Sequence, residues 1–220
     1  MENGGGAAAK EGVGIDWVTD TYHAQYQIDS ESEKAVDAYR AVARAIYDVL
    51  GAKTLLDVGC GAGPLLRAYE EVSPFGLIAG VEGSRHALRE DLRIELHDLT
   101  TPLDLKWKGF DVVTCFDVAE HLPKEAAPTL VRSIVKHAGR WIVFGPAPEG
   151  QDGYYHINCQ HPTWWVRLFE DNDYVKLRAG LSEALRTRIR EDERHSFCWW
   201  VAKNLMVFEK DTKCTMRLTT

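Results

Sequence analysis

The sequence of 220 residues lacks the features that mark membrane-spanning, secreted and disulfide-rich proteins. None of its apolar runs approaches the roughly 18 residues that a membrane-spanning helix needs. The opening segment MENGGGAAAKEGVG has no apolar stretch after a basic one, so we interpret it as a flexible tail and not as a secretory signal. The five cysteines form no Cys-x-x-Cys pair, and their odd number favours a reduced, cytoplasmic protein.

Positive charge is also scarce. The chain has 26 lysines and arginines against 33 acidic residues, a net charge of −7, which argues against a broad nucleic-acid surface. The basic run at 186–190 is flanked by Glu183 and Glu191, and we interpret it as a solvated helix face. The length suits one well-buried domain. We expect a flexible tail at 1–29, a single domain at 30–210 and a short tail at 211–220.

Segments typical of strands and helices alternate along the chain. Ser30 and Glu33 form a capping-box pattern, which predicts a helix with Ser30 as its N-cap and Gly51 after its end. Predicted strands cover 54–59, 77–81, 93–97, 110–116, 140–145 and 174–178, with two further β-type runs in SFCWWV (196–201) and NLMVFEK (204–210). Predicted helices follow Pro64 and cover 85–90, 124–137, 163–170 and 181–192. The alternation predicts an α/β fold with a mainly parallel sheet, helices on both faces and an antiparallel edge formed by the last two strands.

A glycine-rich turn follows the first predicted strand, in the segment DVGCGAG at 57–63. Glycines between a strand and a helix let the backbone approach a ligand that lies at the helix N-terminus. A dinucleotide-binding fingerprint needs a glycine at position 64, where this chain has Pro64. The spacing therefore excludes a nicotinamide dinucleotide as the ligand of this turn.

With Asp57 two residues before its first glycine, the turn resembles the first motif of the class I S-adenosylmethionine-dependent methyltransferases. Glu82 at the end of the second strand and Asp98-Leu99 after the third occupy the places of that family's next two motifs. FDVVTCFDVAEHLP (110–123) resembles its fourth motif, and NLMVFEK its antiparallel last strand. The resemblance covers roughly residues 30 to 210. It implies a Rossmann-like, seven-stranded, mainly parallel sheet with an antiparallel last strand.

The resemblance also implies S-adenosylmethionine as the cofactor, with S-adenosylhomocysteine as the product. The implied cofactor-binding residues are Gly59, Gly61 and Gly63 in the turn, Glu82 at both ribose hydroxyls, Asp98 and Leu99 at the adenine, Asp57 at the amino end of the methionine portion, and Asp117 beside the sulfonium. A carboxylate suits the Glu82 role because it accepts strong hydrogen bonds from two adjacent hydroxyls.

Asp117, Glu120 and His121 form a first set of candidate catalytic residues. A helical turn would place positions i, i+3 and i+4 on one face. The pattern resembles that of metal-dependent relatives, including quinone-biosynthesis O-methyltransferases and small-RNA end methyltransferases, although those have Glu where this chain has Asp117. Glu-His-Leu also occurs in metal-free methyltransferases, where it shapes the cofactor side of the pocket. The sequence therefore favours a set that binds no metal, with Mg²⁺ or Mn²⁺ as the alternative.

The segment DGYYHINCQHPTWW (152–165) is a second source of candidates, since it follows the fifth strand and must cross the open end of the sheet. We expect His156, a candidate catalytic base, and Asn158 to face the acceptor. Trp165 and Phe169 are expected in the core, and His161 in a turn before Pro162. Tyr22, His23 and Tyr26 are a third set, either a lid over the cofactor or a surface helix.

The leading hypothesis is an enzyme that methylates a hydroxyl of a small molecule, a saccharide or natural product. A hydroxyl acceptor must lose its proton, which calls for a base or a metal near the sulfonium. One alternative is metal-assisted methylation of RNA ends, which the acidic balance disfavours. The other is a catalytically silent binding subunit with the same fold. The acceptor and the oligomeric state are open at this stage.

Overall fold

The computed structural model describes residues 32–172 and 174–211. Their centre is a seven-stranded sheet with the order β3-β2-β1-β4-β5-β7-β6. The strands are β1 (Leu55–Val58), β2 (Ile78–Glu82), β3 (Ile94–Leu96), β4 (Phe110–Phe116), β5 (Ala138–Gly145), β6 (Val175–Leu177) and β7 (Met206–Lys210). Strands β1 to β5 are parallel to one another, and β7 is antiparallel to both of its neighbours. The predicted seven-stranded, mainly parallel sheet with an antiparallel last strand is confirmed.

Helices cover both faces of this sheet. They are α1 (Glu33–Leu50), α2 (Pro64–Val72), α3 (Ala127–His137), α4 (Pro162–Glu170), α5 (Ala179–Arg190) and α6 (Trp199–Asn204). Successive strand residues point to opposite faces, so Leu55 and Leu56 belong to two different apolar clusters. The first cluster joins the sheet to α1, α2, α5 and α6, and the second joins it to α3 and α4. Among the described helices, none has the length and apolarity that a membrane crossing requires.

The segment SFCWWV, predicted as a strand, is helical. It forms the end of a 3-10 helix (Glu193–Cys198) and the start of α6. Its buried positions are Cys198, Val201 and Ala202, followed by Leu205. This spacing is that of a helix face and not the alternation of a strand, and it packs the segment on α1. The prediction of a strand for this segment is therefore wrong.

This difference changes the predicted antiparallel edge. β7 does not pair with a strand from 196–201 but lies between β5 and β6, with Ile142 of β5 and Leu177 of β6 both opposite Phe208. β6 is therefore the edge strand on this side of the sheet, and β3 is the edge strand on the other side. Trp199 lies at the start of α6, and about half of its surface is exposed.

The first helix is capped two residues later than predicted. Ser32, not Ser30, is the N-cap of α1, and its side-chain oxygen accepts a hydrogen bond from the Ala35 backbone N–H. Ser30 lies outside the described residues. The helix ends as expected at Gly51, whose φ of 63° is in the left-handed region and whose N–H donates to the Tyr47 carbonyl. The repeated Ser-Glu dipeptide offered two serines, and the motif alone did not distinguish them.

The strand order places the functional end of the sheet. From β1, the order runs to β2 and β3 on one side and to β4 and β5 on the other. The crossover connections leave the sheet in opposite directions at this point, and a crevice opens at the carboxyl ends of β1 and β4. The residues after these two strands are the glycine turn and the Asp117 segment, so the fold brings the two together.

Candidate active site

The turn after β1 can form only with glycine at particular positions. Gly59 and Gly63 have φ values of 80° and 84°, in the region that side chains disfavour. A Cβ on Gly59 would lie 2.2 Å from a methyl group of Val118, the second residue after β4. The turn is thus packed directly against the segment that carries Asp117. Gly61, with a φ of 53°, completes the turn before α2 begins at Pro64.

Glu82 connects this turn to the end of β2. One oxygen of its carboxylate accepts a hydrogen bond from the Gly61 N–H at 3.0 Å. The other oxygen accepts from the N–H groups of Gly83 at 2.8 Å and Ser84 at 3.0 Å. Three donors converge on both oxygens and give the carboxyl group a fixed orientation. The side chain at the place predicted for ribose binding is therefore held rigidly before any ligand arrives.

Asp57 is buried and is the second-last residue of β1, next to the glycine turn. Its carboxylate accepts a hydrogen bond of 2.7 Å from the hydroxyl of Thr114, on the neighbouring strand β4. Burial, opposed by the Thr114 bond and reinforced by nearby Glu82, raises the pKa of Asp57 to about 7. A cationic group placed beside it would favour the ionised form. This is the property expected of a residue that meets an ammonium group.

The raised pKa of Asp57 makes a testable prediction about stability. The folded state keeps a proton that the unfolded state releases above its usual pKa, so this contribution is present at low pH and is lost as pH rises towards about 7. Asp57→Asn retains an acceptor for Thr114 and removes the charge. We expect the variant to gain stability over the wild type by up to about 1.4 kcal/mol per pH unit between pH 5 and 7.

Urea unfolding of the ligand-free protein at several pH values measures this gain. Asp171→Asn, an exposed acid at the end of α4, is the control and should show no such trend. A difference between Asp57→Asn and the wild type that stays constant with pH would contradict the prediction.

Asp98 and Leu99 follow β3, on the far side of Glu82 from the turn. Asp98 is exposed, and its carboxylate accepts hydrogen bonds from the backbone N–H and the hydroxyl of Thr100. Leu99 is buried. The His97 N–H donates to the Glu82 carbonyl at 2.9 Å, which brings this segment beside the end of β2. The predicted adenine side of the site is thus adjacent to the predicted ribose side.

Four side chains meet at the tip of β4. Asp117, Glu120, His121 and His156 each offer one ligand atom, and these atoms all lie within 4.8 Å of one another. The first three come from the turn after β4, where Ala119–His121 forms a 3-10 helix as the sequence spacing suggested. His156 comes from the loop between β5 and α4. The sequence did not indicate that His156 joins this set, because 35 residues and a whole helix–strand unit separate it from His121.

Glu120 is the most buried member of the set. Its Oε1 accepts a hydrogen bond from the Ala147 N–H at 2.8 Å, while Oε2 has no N–H donor in the described part of the chain, and a protonated Glu120 can hydrogen-bond only to the Asp117 carboxylate. Burial and the adjacent Asp117 carboxylate raise the pKa of Glu120 well above its usual range. A buried carboxylate oxygen beside a second carboxylate lacks a counter-charge, and a bound cation would supply one.

The two histidines are oriented alike by backbone carbonyls. His121 Nδ1 lies 3.2 Å from the Tyr155 oxygen, and His156 Nδ1 lies 3.0 Å from the Gln151 oxygen. Carbonyl oxygens only accept hydrogen bonds, so each ring carries a proton on Nδ1. Their centroids are 5.0 Å apart in an edge-on arrangement. Imidazoles that ligate metals are usually fixed in this way by a second hydrogen bond.

Backbone strain is concentrated at the same place. In the described residues, Asp117 and Tyr155 are the non-glycine residues with positive φ, both at 56°. Asp117 belongs to the four-residue set, and the Tyr155 carbonyl accepts the hydrogen bond that orients His121. Left-handed backbone costs free energy for such residues and persists where a site requires it. The donor atoms, the orphan Glu120 oxygen and this strain together fit a divalent cation, with mixed oxygen and nitrogen ligands.

The loop from Pro146 to His161 has no regular secondary structure. Asn158 does not face an acceptor: it is buried, and its side chain bonds to the Ala119 carbonyl and to Gln160. Trp165 and Phe169 are fully buried, and His161 is the N-cap of α4, so these expectations are confirmed. Tyr22, His23 and Tyr26 lie outside the described residues.

The sheet order, the glycine turn at its switch point and the carboxylate one strand away define the class I methyltransferase type of fold. The family model described as "Methyltransferase domain" matches residues 31–203 of the chain. The chain therefore belongs to the family of class I S-adenosylmethionine-dependent methyltransferases.

Curated proteins with similar sequences are named ubiquinone biosynthesis O-methyltransferases. The protein from Sodalis glossinidius is 31% identical over 131 residues, which cover 56% of this chain and 48% of that protein. The protein from Azotobacter vinelandii is 27% identical over 157 residues, covering 68% and 63%. The matched part of the chain spans about half the length of most of these curated relatives.

Solved structures agree in fold at low sequence identity. The plantazolicin methyltransferase in complex with S-adenosylhomocysteine has a TM-score of 0.58 at 12% identity, over 90% of this chain and 93% of that one. The magnesium protoporphyrin IX methyltransferase from Synechocystis, also with S-adenosylhomocysteine, has a TM-score of 0.57 at 15% identity, over 90% and 96%. These likenesses extend over nearly the whole described fold.

Proposed function

We propose that this methyltransferase transfers the methyl group to a hydroxyl of a small molecule, at a site where Asp117, Glu120, His121 and His156 hold a divalent cation. The observation that carries the proposal is the approach of four ligand atoms to within 4.8 Å at the tip of β4. Val118, inside the same turn, packs on Gly59. The cation site and the predicted cofactor turn are therefore two sides of one crevice.

The cofactor-binding roles of the individual residues are part of the proposal. Gly59, Gly61 and Gly63 form the turn beside the methionine portion, and Glu82 accepts from both ribose hydroxyls. Asp98 and Leu99 line the adenine, and Asp57 faces the amino group. The support for this assignment is the order of these residues along the strand ends, from β3 through β2 to β1 and β4. Asp117, which the sequence assigned to the sulfonium, is proposed to lie between sulfonium and cation.

The chemistry sets clear demands on the site. The acceptor oxygen forms a bond to the methyl carbon while the bond from that carbon to sulfur breaks, and the sulfur keeps the electron pair. The acceptor must also lose its hydroxyl proton. A divalent cation held by these residues would supply Lewis acidity, which lowers the pKa of an acceptor hydroxyl at the site, and the released proton would pass to solvent water. Glu120 contributes a fixed carboxylate oxygen, and His121 and His156 contribute nitrogen lone pairs whose direction the carbonyls of Tyr155 and Gln151 determine.

This assignment revises the role of His156 as a free-standing base. Its Nδ1–H donates to the Gln151 carbonyl, and we propose that its Nε2 is the ligand atom that it contributes to the four-residue set. On the same loop, Tyr154, Tyr155 and Ile157 expose apolar surface beside His156, and the flat tyrosine rings can contact the ring of a saccharide or aromatic acceptor. The relatives named as O-methyltransferases further support a hydroxyl, and not an amine, as the acceptor.

Removal of metal tests the proposal. We expect EDTA treatment to lower methyl transfer by ~100-fold or more, and Mn²⁺, Mg²⁺ or Zn²⁺ added back to restore it. The assay follows S-adenosylhomocysteine release with a panel of acceptors that includes a catechol, a phenol and monosaccharides. Binding of S-adenosylhomocysteine should change little in EDTA. Asp117 is the one proposed cofactor contact that also belongs to the cation site, and the other proposed contacts lie outside it.

Two outcomes would contradict this proposal in different ways. Full activity in EDTA would mean that the four residues act without a metal. Methylation of a short RNA but of none of the small molecules would replace the proposed acceptor class. Glu120→Gln, which removes the charge of the proposed oxygen ligand, should lose methyl transfer. Glu125→Gln, a change at an exposed acid in the 3-10 helix after the set, is its matched control and should retain activity.

A further inference from the structure

Gln151 joins the His156 loop to a distant part of the fold. Its backbone carbonyl accepts hydrogen bonds from His156 Nδ1 at 3.0 Å and from the Cys159 thiol at 3.9 Å. Its side-chain oxygen Oε1 accepts a hydrogen bond of 3.1 Å from Nδ2 of Asn204. Asn204 is the last residue of α6, two residues before β7 begins. One residue thus contacts both the proposed catalytic set and the element that leads into the last strand.

We propose that Gln151 and Asn204 are positioning residues for methyl transfer. Their hydrogen bond holds the loop where the Gln151 carbonyl maintains the Nδ1–H tautomer of His156, with the Nε2 lone pair in the four-residue set. The inference rests on the proposed function, because it assigns a role to His156 in that set. Neither residue touches a reacting atom in this arrangement, so both act through His156.

The structure of the loop explains why such an anchor is needed. The segment around Gln151 has no ladder of sheet or helix hydrogen bonds, and the Gln151 N–H donates only locally, to the Pro148 carbonyl. Gly150, with a φ of 82°, makes the preceding backbone conformationally permissive. The contact to Asn204 spans 53 positions in sequence and ties the loop to α6. Other bonds hold the two ends of the loop on Glu120, from the N–H groups of Ala147 and Ile157, and the Asn204 bond is the long-range side-chain contact of Gln151 itself.

The His156 ring is closely enclosed, so a small displacement of the loop matters. A Cβ at Gly153 would lie 2.1 Å from His156 Nε2 and 2.2 Å from Cε1, which shows that the Gly153 backbone packs against the ring. The edge of the ring meets His121 on another side. The imidazole therefore has little freedom of its own, and a shift of Gln151 and Gly153 must move it relative to the set.

The chain offers variants that separate the side-chain bond from the backbone carbonyl. Gln151→Met keeps the length of the side chain and removes the acceptor, whereas Gln151→Glu keeps an acceptor for Asn204. Asn204→Leu removes the donor at similar volume. Asn204→Asp is unsuitable, because the Gln151 amide can turn and donate to it. Lys203→Met, at the exposed neighbouring position of α6, is the matched control.

We expect Gln151→Met and Asn204→Leu each to lower Mn²⁺ affinity and methyl transfer by about 10-fold, the lower end of the effect of outer-shell residues. Gln151→Glu and Lys203→Met should stay near the wild type. The double variant Gln151→Met/Asn204→Leu should be no worse than either single variant, because both remove the same bond. S-adenosylhomocysteine affinity should change less than about twofold in every variant, since Gln151 lies outside the proposed cofactor contacts.

The imidazole tautomer provides a readout that needs no metal. Long-range ¹H–¹⁵N spectra of the metal-free protein should show His156 as the Nδ1–H tautomer in the wild type and as a mixture in Gln151→Met and Asn204→Leu. If Gln151→Met does not fold, Asn204→Leu carries the test. A change of tautomer in a protein that binds no Mn²⁺ would refute the cation site and support the positioning role. Unchanged tautomer, Mn²⁺ affinity and transfer in both folded variants would overturn the inference.

Discussion

Replacing Glu82 with alanine is expected to weaken binding of S-adenosylhomocysteine by at least ~100-fold, because two charge-assisted hydrogen bonds to the ribose are lost. Isothermal titration calorimetry measures the change. Glu82→Gln is expected to fail as well. Its amide would place N–H donors against the backbone N–H of Gly61 or those of Gly83 and Ser84, which now converge on the two carboxylate oxygens.

The Glu82 result can be separated from simple damage to the turn by changing the ligand. The 2′-deoxy analogue of S-adenosylhomocysteine should bind the wild type about 10-fold more weakly than the parent compound does. The Glu82→Ala variant should bind the analogue and the parent compound with the same affinity. Glu90→Ala, an exposed acid eight residues further on, is the control and should bind both ligands like the wild type. If Glu82→Ala still discriminates between the two ligands, another group binds the ribose.

Asp117→Asn should stabilise the metal-free protein while it removes methyl transfer. At neutral pH the fold must either keep a proton on buried Glu120 or hold two adjacent carboxylates charged, and both cost free energy. Asparagine removes one carboxylate and tolerates the left-handed backbone at this position. We expect the free energy of unfolding in EDTA to rise by about 1 kcal/mol and transfer to fall ~1,000-fold, a trade-off common at functional sites.

Urea unfolding, Mn²⁺ titration and the transfer assay on one preparation check these three effects. Asp152→Asn, an exposed acid in the loop that carries His156, is the matched control and should leave all three unchanged. Transfer within threefold of the wild type in Asp117→Asn would remove this residue from the site. Lost transfer with intact Mn²⁺ binding would assign Asp117 to the sulfonium alone.

The parts of the fold that follow from local chemistry were predictable. Glycines of positive φ in DVGCGAG, a carboxylate at the end of β2 and an apolar run fit for β4 each express a local requirement, and the structure has them where the sequence indicated. SFCWWV was misassigned because aromatic and β-branched residues favour strands, whereas its burial against α1 follows helical spacing. Tertiary packing outweighed propensity there.

The candidate site was predictable only in pieces. Asp117, Glu120 and His121 lie close in sequence, so their spacing was informative, but the approach of His156 depends on where a loop without regular structure crosses the sheet. The contacts from Tyr155 and Gln151 use backbone carbonyls, which every residue has and which leave no trace in the sequence. The roles of the cofactor and acceptor residues stay predictions until ligands are bound.

The insertion of β7 between β5 and β6 has a consequence for biosynthesis. As the polypeptide emerges from the ribosome, β1 to β5 can assemble early, but β6 cannot join them until residues 206–210 have been made. Until then the edge of β5 has unpaired N–H and C=O groups, with which other nascent chains can associate. The β7 segment therefore completes the sheet. Asn204, two residues before β7, can bind Gln151 only after this part of the chain has been synthesised.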